Sequence, residues 1–251
     1  MTLLAVLSHL NRADGSATYT HNGYAIIGAV NGPIEVQRRD EMPEEATVEV
    51  NIRLAVGIGS PKERHLESLV HNTLRSIILT RSIPRTLVQI TLQVTSLPEE
   101  EAASGVDSAC TLLPHLLHTA LLALLSASIP LSTALTSVVI AVPASASSKA
   151  GTTMLSPTAK ELLRAKPIRA THVFAFSGNR KLLLSQSMGV FAYDEWGEAC
   201  EMAEDVCCRD EGGVGLGEDM EVKGGQGNLE EWLRSVVQKK VEMEQRWRVA
   251  T

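Results

Sequence analysis

The sequence predicts an α+β fold in which mixed sheets are combined with long helices. Two stretches, Thr47 to Leu54 and Leu87 to Thr95, alternate apolar and polar residues with a period of two, as half-buried strands do. Between them, apolar residues recur at helical spacing. The helices and strands do not alternate regularly enough for a doubly wound sheet. A chain of 251 residues can bury one substantial core, so we expect a single domain over residues 1–251.

The first strands form a predicted hairpin. Two short strand-like runs, Thr18 to His21 and Tyr24 to Val30, are separated by Asn22-Gly23. This dipeptide readily adopts the positive φ angles of a type I′ turn. A further short run, Ile34 to Gln37, follows Gly32-Pro33, and we expect that dipeptide to separate it from the hairpin.

A helix is predicted to begin at Ser60-Pro61-Lys62-Glu63. This segment supplies an N-cap serine, a proline in the first turn and a glutamate that can close a capping box. Pro84 ends the helical pattern. Six apolar residues define the expected buried face: Leu66, Leu69, Val70, Leu74, Ile77 and Ile78.

The run from Leu112 to Ile129 is apolar enough to resemble a membrane span, and no charged residue lies between Asp107 and Lys149. The run nevertheless contains Pro114 and two histidines and lacks basic flanks. It also leads through Pro130 into a β-branched strand. We therefore predict a buried helix followed by a central strand, and no association with a membrane.

The second half repeats the mixture of strands and helices. Strands are predicted at Val138 to Val142, His172 to Phe176 and Leu182 to Ser187. Asp194 is placed to cap a helix that runs to about Cys208. Before a last helix, residues 209–228 are rich in glycine and acidic residues, so we expect a flexible insertion there. An apolar stripe marks that last helix: Leu229, Trp232, Leu233, Val236, Val237 and Val241.

Charge and cysteine content restrict the possible functions. The net charge is −6, whereas a protein that binds nucleic acid alone usually carries a basic excess. The four cysteines form no CxxC motif and follow no secretory signal, so we expect reduced thiols without disulfides or zinc. His115 and His118 lack enough further ligands for a metal site and are expected to be core residues. We predict no cofactor, and a nuclear or cytoplasmic location.

Several blocks in fixed order resemble the RNase PH family, and in particular its exosome subunits. The first is Arg12 to Ala17, followed by Asn22-Gly23 and by Val30 to Val36. Two later blocks agree, Ile83 to Thr86 before a strand and Ala123 to Leu131. Active members carry an arginine-aspartate-glycine-arginine segment upstream of these blocks, and we expect it to be absent here.

The resemblance implies the RNase PH domain, which is related to the second domain of ribosomal protein S5. It also implies three heterodimers of RNase PH-like exosome subunits in a six-membered ring around a channel. RNA-binding cap subunits, an associated exoribonuclease and RNA itself would be further partners. The implied role is degradation and processing of RNA, including ribosomal RNA, in the nucleus, nucleolus and cytoplasm.

Catalytic residues of the family do not match this sequence. The family's phosphate motif, which contains an arginine, corresponds to Cys110-Thr111-Leu112-Leu113, so leucine replaces the arginine. Aspartate is absent from residues 151–180, where the family's catalytic aspartates are expected, and Glu161 is the only acidic residue there. We therefore predict a non-catalytic scaffold subunit with no catalytic residues. The alternative is an active 3′–5′ exoribonuclease, either phosphate-dependent or metal-dependent and hydrolytic, that forms a homo-oligomer and could use Glu161.

Two pairs of basic residues are candidates for contact with RNA. Arg38 and Arg39 follow the Gly32-Pro33 block in an expected loop, which the family places toward the opening of the channel. Five acidic residues lie near this pair in the sequence, so the local positive field is weak. Lys62 and Arg64, at the start of the predicted helix, form the second pair.

Overall fold

The computed structural model describes residues 3–55, 61–100, 106–144, 153–208 and 229–249. Within them, five strands form a first sheet in the order β1-β2-β3-β5-β4. Its neighbouring strands are antiparallel except for β4 and β5, which are parallel and connected by the helix α1, so the sheet is mixed. The bounds are β1 Leu4–Leu7, β2 Gly15–His21, β3 Tyr24–Glu35, β4 Thr47–Arg53, α1 Pro61–Ile77 and β5 Thr86–Ser96, with a short 3-10 helix at Thr80–Ser82.

The second sheet is antiparallel throughout and has the order β7-β6-β8-β9. Together the two sheets and the long helices confirm the predicted α+β class. The bounds in this half are α2 Ser108–Ser126, β6 Leu135–Pro143, β7 Met154–Leu155, α3 Ala159–Arg164, β8 Ile168–Ser177, β9 Leu182–Gly189, α4 Tyr193–Cys207, α5 Leu229–Glu244 and α6 Arg246–Val249.

The predicted hairpin is confirmed. β2 and β3 pair as far as His21 and Tyr24, and the turn residues Asn22 and Gly23 have φ angles of 51° and 88°. The expected break at Gly32-Pro33 is wrong, because β3 continues to Glu35. A register shift against β5 between Asn31 and Ile34 accommodates the dipeptide within the strand.

The helix α1 and the strands on either side of it were predicted correctly. Burial alternates along β4, and the apolar residues of β5 from Val88 to Val94 are fully buried. α1 begins at Pro61 and ends at Ile77, seven residues before Pro84, so proline is not what terminates it. The proposed cap residue Ser60 lies outside the described residues.

The helix α2 lies between the two sheets and makes the centre of the main core. That core combines residues from both sheets with α1 and α2. α2 has the length and hydropathy of a membrane-spanning helix, but 83% of its apolar window is buried within the protein. Its apolar character is therefore explained by packing on several sides, as predicted from Pro114 and the histidines.

The helix α4 covers one face of the second sheet. α4 packs on the face of this sheet that points away from α2, and these contacts form a smaller second core. Asp194 was predicted to cap α4, but the helix begins one residue earlier, and Glu195 accepts the Ala192 N–H at 3.0 Å. On α5, Leu233 is buried at the predicted stripe. The predicted insertion at residues 209–228 lies outside the described residues.

Candidate functional site

The start of α2 is where the family resemblance predicts the phosphate motif. Asp107 is the N-cap residue of α2, and its carboxylate accepts the Ala109 N–H at 3.2 Å. A helix N-terminus attracts anions because its first N–H groups have no partner within the helix. Here a side-chain carboxylate already occupies that position. Lys62, which lies 3.6 Å from Asp107, pairs with the carboxylate.

The four residues that correspond to this motif, Cys110 to Leu113, are buried in the protein. Leu112 and Leu113 are 3% and 1% exposed and belong to the main core. The Thr111 hydroxyl donates to the Ser108 carbonyl at 3.1 Å within the same helix. Burial raises the pKa of the Cys110 thiol to about 11, so this side chain is uncharged at neutral pH. None of these four side chains offers a cation to a phosphate group.

A pocket of about 270 Å³ with a mixed polar and apolar lining opens beside this helix end. The basic residue that lines it is Arg169, whose guanidinium donates to the Glu195 carboxylate. The backbone N–H of Ala192 and the Arg169 side chain lower the pKa of Glu195, so this carboxylate remains charged. Asp107 also lines the pocket. Asp107 pairs with Lys62 and Glu195 pairs with Arg169, so these groups leave no net positive charge and the pocket is a poor site for an anion.

Glu161 is a capping residue. It lies in the first turn of α3, where it accepts the Thr158 N–H at 2.8 Å, and its own N–H donates to the Thr158 hydroxyl at 3.3 Å. This reciprocal arrangement is a capping box. The sequence predicted that Glu161 is a solvated helix residue, and the structure shows that its side chain also caps this helix.

The two candidate pairs of basic residues lie at opposite ends of α1. Arg38 and Arg39 are exposed and occupy a turn after β3. Glu45, which follows that turn, binds Arg75 in the last turn of α1 at 3.1 Å. Lys62 and Arg64 lie in the first turn, about 20 Å away at 1.5 Å per residue. The structure therefore does not combine the two pairs into one surface.

Sequence reasoning missed the basic residues that surround the Arg38-Arg39 turn. Besides Arg75, Arg81 approaches Glu45 at 3.7 Å and Arg85 approaches Glu41 at 3.7 Å. The pairing of Glu35 with Thr86 in β3 and β5 places Arg85 beside the end of β3. Arg75 and Arg81 share the Glu45 carboxylate and Arg85 pairs with Glu41, whereas the exposed Arg38 and Arg39 project from the turn. Only the strand register could have revealed this arrangement.

The histidines of α2 belong to a buried aromatic cluster, as predicted. His118 accepts the Ser137 N–H at Nε2 (3.0 Å), and its Nδ1 lies 3.4 Å from the Tyr19 hydroxyl. His115 stacks on Tyr24 with ring centroids 4.5 Å apart. Burial lowers the pKa of His118 to about 3 and that of His115 well below its usual value, so both rings are neutral.

A second histidine contact was not foreseen. His172 on β8 lies 2.8 Å from the Ser187 hydroxyl on β9, through Nδ1. The Nε2 atom is buried without a hydrogen-bond partner among the described residues. Catalysis by a serine and a histidine also requires a group that orients the ring. In the described part of the chain no carboxylate forms a hydrogen bond with His172. We therefore interpret the His172–Ser187 pair as a structural contact between β8 and β9.

Among the described residues, the cysteines and potential metal ligands offer no further site. All four cysteines are described and none forms a disulfide. Burial raises the pKa of Cys207 to about 12, which keeps its thiol protonated. Across the described ranges, no three His, Cys, Asp or Glu residues are grouped closely enough to hold a metal ion.

The two opening sequence blocks meet in the structure. The Asp14 carboxylate accepts the Gly32 N–H at 2.8 Å, which ties the start of β2 to the end of β3. Gly15 lies against the last turn of α2, where a Cβ atom would be 2.5 Å from the Ala123 carbonyl oxygen. The blocks that carry the family resemblance therefore have structural roles in the hairpin and in its packing on α2.

Comparisons with known proteins agree with this fold. The family model for RNase PH, described as 3′ exoribonuclease family, domain 1, matches residues 3–130. The exosome complex component RRP46 of Saccharomyces cerevisiae is 29% identical over 210 residues, which cover 82% of this chain and 91% of the relative. The exosome complex component rrp46 of Schizosaccharomyces pombe is 36% identical over 122 residues, about half of each protein.

Solved structures show the same architecture. Rice (Oryza sativa) Rrp46 superposes with a TM-score of 0.66 at 24% identity, covering 80% of this chain and 86% of the rice chain. A chain of an archaeal exosome core gives a TM-score of 0.60 at 13% identity, with 81% and 82% covered. At these identities the likeness concerns the fold. Because the family model also matches half of the sequence, the chain belongs to the RNase PH family.

Proposed function

We propose that this protein is a non-catalytic ring subunit of a eukaryotic RNA exosome and resembles ribosomal RNA-processing protein 46. It pairs with another RNase PH-like subunit, closes a six-membered ring, and supports the path of RNA to a nuclease elsewhere in the assembly. RNA-binding cap subunits and an exoribonuclease complete that assembly. The assembly carries out 3′–5′ RNA degradation and ribosomal RNA processing in the nucleus, nucleolus and cytoplasm. The names of the yeast relatives support this role.

One observation carries the non-catalytic part of the proposal. The position that matches the family's phosphate-binding arginine is Leu112, which is 3% exposed inside the core. At the same helix end, the Asp107 carboxylate takes the place of an anion. Phosphorolysis needs inorganic phosphate to be held by a cation or by free N–H groups. The residues present here oppose that binding.

Purified protein is expected to release no nucleoside diphosphates from RNA in phosphate buffer. The measurement is chromatography of the products after incubation with a single-stranded RNA, compared with the same reaction without phosphate. Release that depends on phosphate and disappears in the Glu161→Gln variant would reject the proposal in favour of an active enzyme.

The alternative function is an active phosphate-dependent 3′–5′ exoribonuclease that forms a homo-oligomer. The observation that favours it is a relative in rice, 34% identical over about half of each chain, that is named an exosome complex exonuclease. The capping role of Glu161 argues against it, because that carboxylate is engaged by the α3 backbone. A stable ring of six identical chains in solution would favour this alternative.

Arg38 and Arg39 are proposed to contact RNA within the assembled ring. Replacing both by glutamate should weaken RNA binding by the assembly that co-purifies with the tagged chain. The dependence of affinity on salt should also become shallower, by about 0.7 in the log–log slope for each phosphate group that the two arginines no longer neutralise. Both side chains are exposed, so folding should change by no more than about 0.5 kcal/mol.

The matched control reverses two other exposed basic residues, Arg164 and Lys181, which belong to the half of the chain that forms the second sheet. This variant changes the net charge equally and is expected to bind RNA as the unmodified assembly does. Equal weakening by both double variants would mean that only net charge matters. Unchanged affinity and unchanged salt dependence in the assembly with Arg38→Glu and Arg39→Glu would show that this pair does not contact RNA.

A further inference from the structure

The end of α5 and the short helix α6 are not covered by the rest of the described chain. Lys240 anchors α5 at the end of α2, where its ammonium group donates to the Ser126 carbonyl at 3.4 Å and to the Ser126 hydroxyl at 3.1 Å. Beyond this anchor, every side chain from Val241 to Arg248 is exposed. This end of the protein is therefore available for contact with another molecule.

Trp247 in α6 is an exposed tryptophan that lies between two arginines in the sequence. Its side chain is 72% exposed, and the guanidinium carbon of Arg248 lies 5.2 Å from the centroid of its ring. The other two tryptophans differ, because Trp196 and Trp232 pack against the two hydrophobic cores. A guanidinium group over an indole is attracted by the ring. Trp247 thus offers a flat apolar surface within a region of positive charge.

The local charge at this end is opposite in sign to the charge of the whole chain. Residues 238–249 contain four basic residues and two acidic ones, although the net charge of the protein is −6. Both carboxylates are already engaged by side chains of α5, one at 2.8 Å from Gln238 and the other at 3.6 Å from Lys240. The field around Trp247 is therefore set mainly by the arginines on either side of it.

An aromatic ring between cations matches the chemistry of single-stranded RNA. Bases stack on aromatic side chains with little dependence on sequence, and nearby cations neutralise the phosphates. The competing occupant is an acidic, apolar segment of another protein. A stable protein interface covers about 800 Å² on each partner. Met243 and Trp247 are the only apolar residues from 242 to 248, and this surface is better suited to a single base.

We propose that Trp247 stacks on a base of single-stranded RNA while Arg246 and Arg248 neutralise the adjacent phosphates. The contact is made by the C-terminal helices and is distinct from the proposed contact at Arg38 and Arg39. It rests on the proposed function only in naming RNA as the ligand. Its failure would leave the ring role untouched, because ring assembly is measured separately.

Binding of a fluorescently labelled oligouridylate to the full chain, measured by anisotropy at low salt, tests the stacking contact. Trp247→Ala should weaken binding roughly tenfold, because the stacked base loses its platform. Trp247→Phe keeps an aromatic face and should retain most of the affinity. The matched control is Tyr193→Ala, since Tyr193 is 81% exposed but is followed by Asp194 and Glu195. This control should bind as the unmodified chain does.

The salt dependence of binding tests the two arginines. Replacing both, Arg246→Gln with Arg248→Gln, should make the log–log slope shallower by about 0.7 for each phosphate group that is no longer neutralised. An unmodified chain that does not bind the oligouridylate, or a Trp247→Ala variant that binds it like Tyr193→Ala, would overturn the proposal.

Co-purification with the tagged chain distinguishes RNA from a protein partner. The Trp247→Ala chain is expected to recover the same partner chains as the unmodified protein, because the contact serves RNA. A variant that loses those partners while its affinity for the oligouridylate is unchanged would show that Trp247 binds protein, and would likewise overturn the proposal.

Discussion

Acidification from pH 7.5 to pH 5 is expected to lower the free energy of unfolding by several kcal/mol, chiefly through the buried pair His115 and His118, with about 2 kcal/mol from His118. Both rings are buried, and burial lowers the pKa of each below that of the unfolded chain. At a pH between the pKa in the folded chain and the pKa in the unfolded chain, the unfolded state binds more protons than the folded state. Stability is therefore complete above the unfolded pKa of about 6.5 and is lost as the pH falls below it.

The groups that face these rings cannot compensate for a charge. Tyr19 of β2 and Tyr24 of β3 contact His115 through their aromatic rings, and His118 accepts the N–H of Ser137 on β6. His21, also nearby, has its pKa lowered to about 4 by burial. No carboxylate among the described residues is bonded to the cluster. A proton on either ring would be both buried and unpaired.

Replacement of His115 by phenylalanine separates this effect from other titrations. The variant keeps a ring against Tyr24 and should remove part of the stability loss between pH 7.5 and pH 5, measured by urea unfolding at each pH. His65→Gln is the control, because His65 is exposed on α1 and loses little hydration on folding. Equal stability of the unmodified chain at both pH values would contradict the prediction.

The Gly15→Ala variant is expected to lose about 3 kcal/mol of stability or more. The added Cβ would lie 2.5 Å from the Ala123 carbonyl oxygen and closer still to the Ala127 nitrogen. These are backbone atoms of the α2 terminus and cannot move aside by rotating a side chain. Relief would require β2 to separate from α2, which would open the core around Ala17.

Gly197→Ala provides the opposite control. Gly197 lies within α4, and nothing lies within 4 Å of the position that its Cβ would take. Alanine there should stabilise the protein by about 0.5 to 1 kcal/mol through its higher helix propensity. Denaturant unfolding of both variants gives the comparison. Similar stability of the Gly15→Ala variant and the unmodified chain would refute the close packing of β2 on α2.

The elements predicted correctly are those whose signal lies within a few adjacent residues. The Asn22-Gly23 turn and the alternation along β4 and β5 are local, and they were found. β1 was missed because Leu4 to Leu7 are all apolar, so the sequence lacks the alternation of apolar and polar residues that marks a half-buried strand. The six-residue helix α3 is too short to show periodicity. The parallel pairing of β4 with β5 depends on the tertiary structure, and the sequence of neither strand indicates it.

The same limit applies to the candidate site. The replacement of the phosphate arginine by Leu112 could be proposed from the sequence, because that proposal depends on one position in a recognisable motif. The carboxylate of Asp107 at the helix end was not identified, although an aspartate before an apolar helix is an ordinary cap signal. The arginines around Arg38 are distant in sequence and come together through strand register and ion pairs.

The position of α2 between two sheets has a consequence for synthesis. A ribosome delivers the chain from its N-terminal end, so α2 emerges before β6 and β8 exist. One side of this apolar helix can pack at once on β2 and β3, while the side that will contact Val139 and Val173 remains exposed to solvent. Apolar surface exposed at that stage promotes aggregation and attracts chaperones. The nascent protein is therefore most vulnerable between the completion of Ser126 and the arrival of β8.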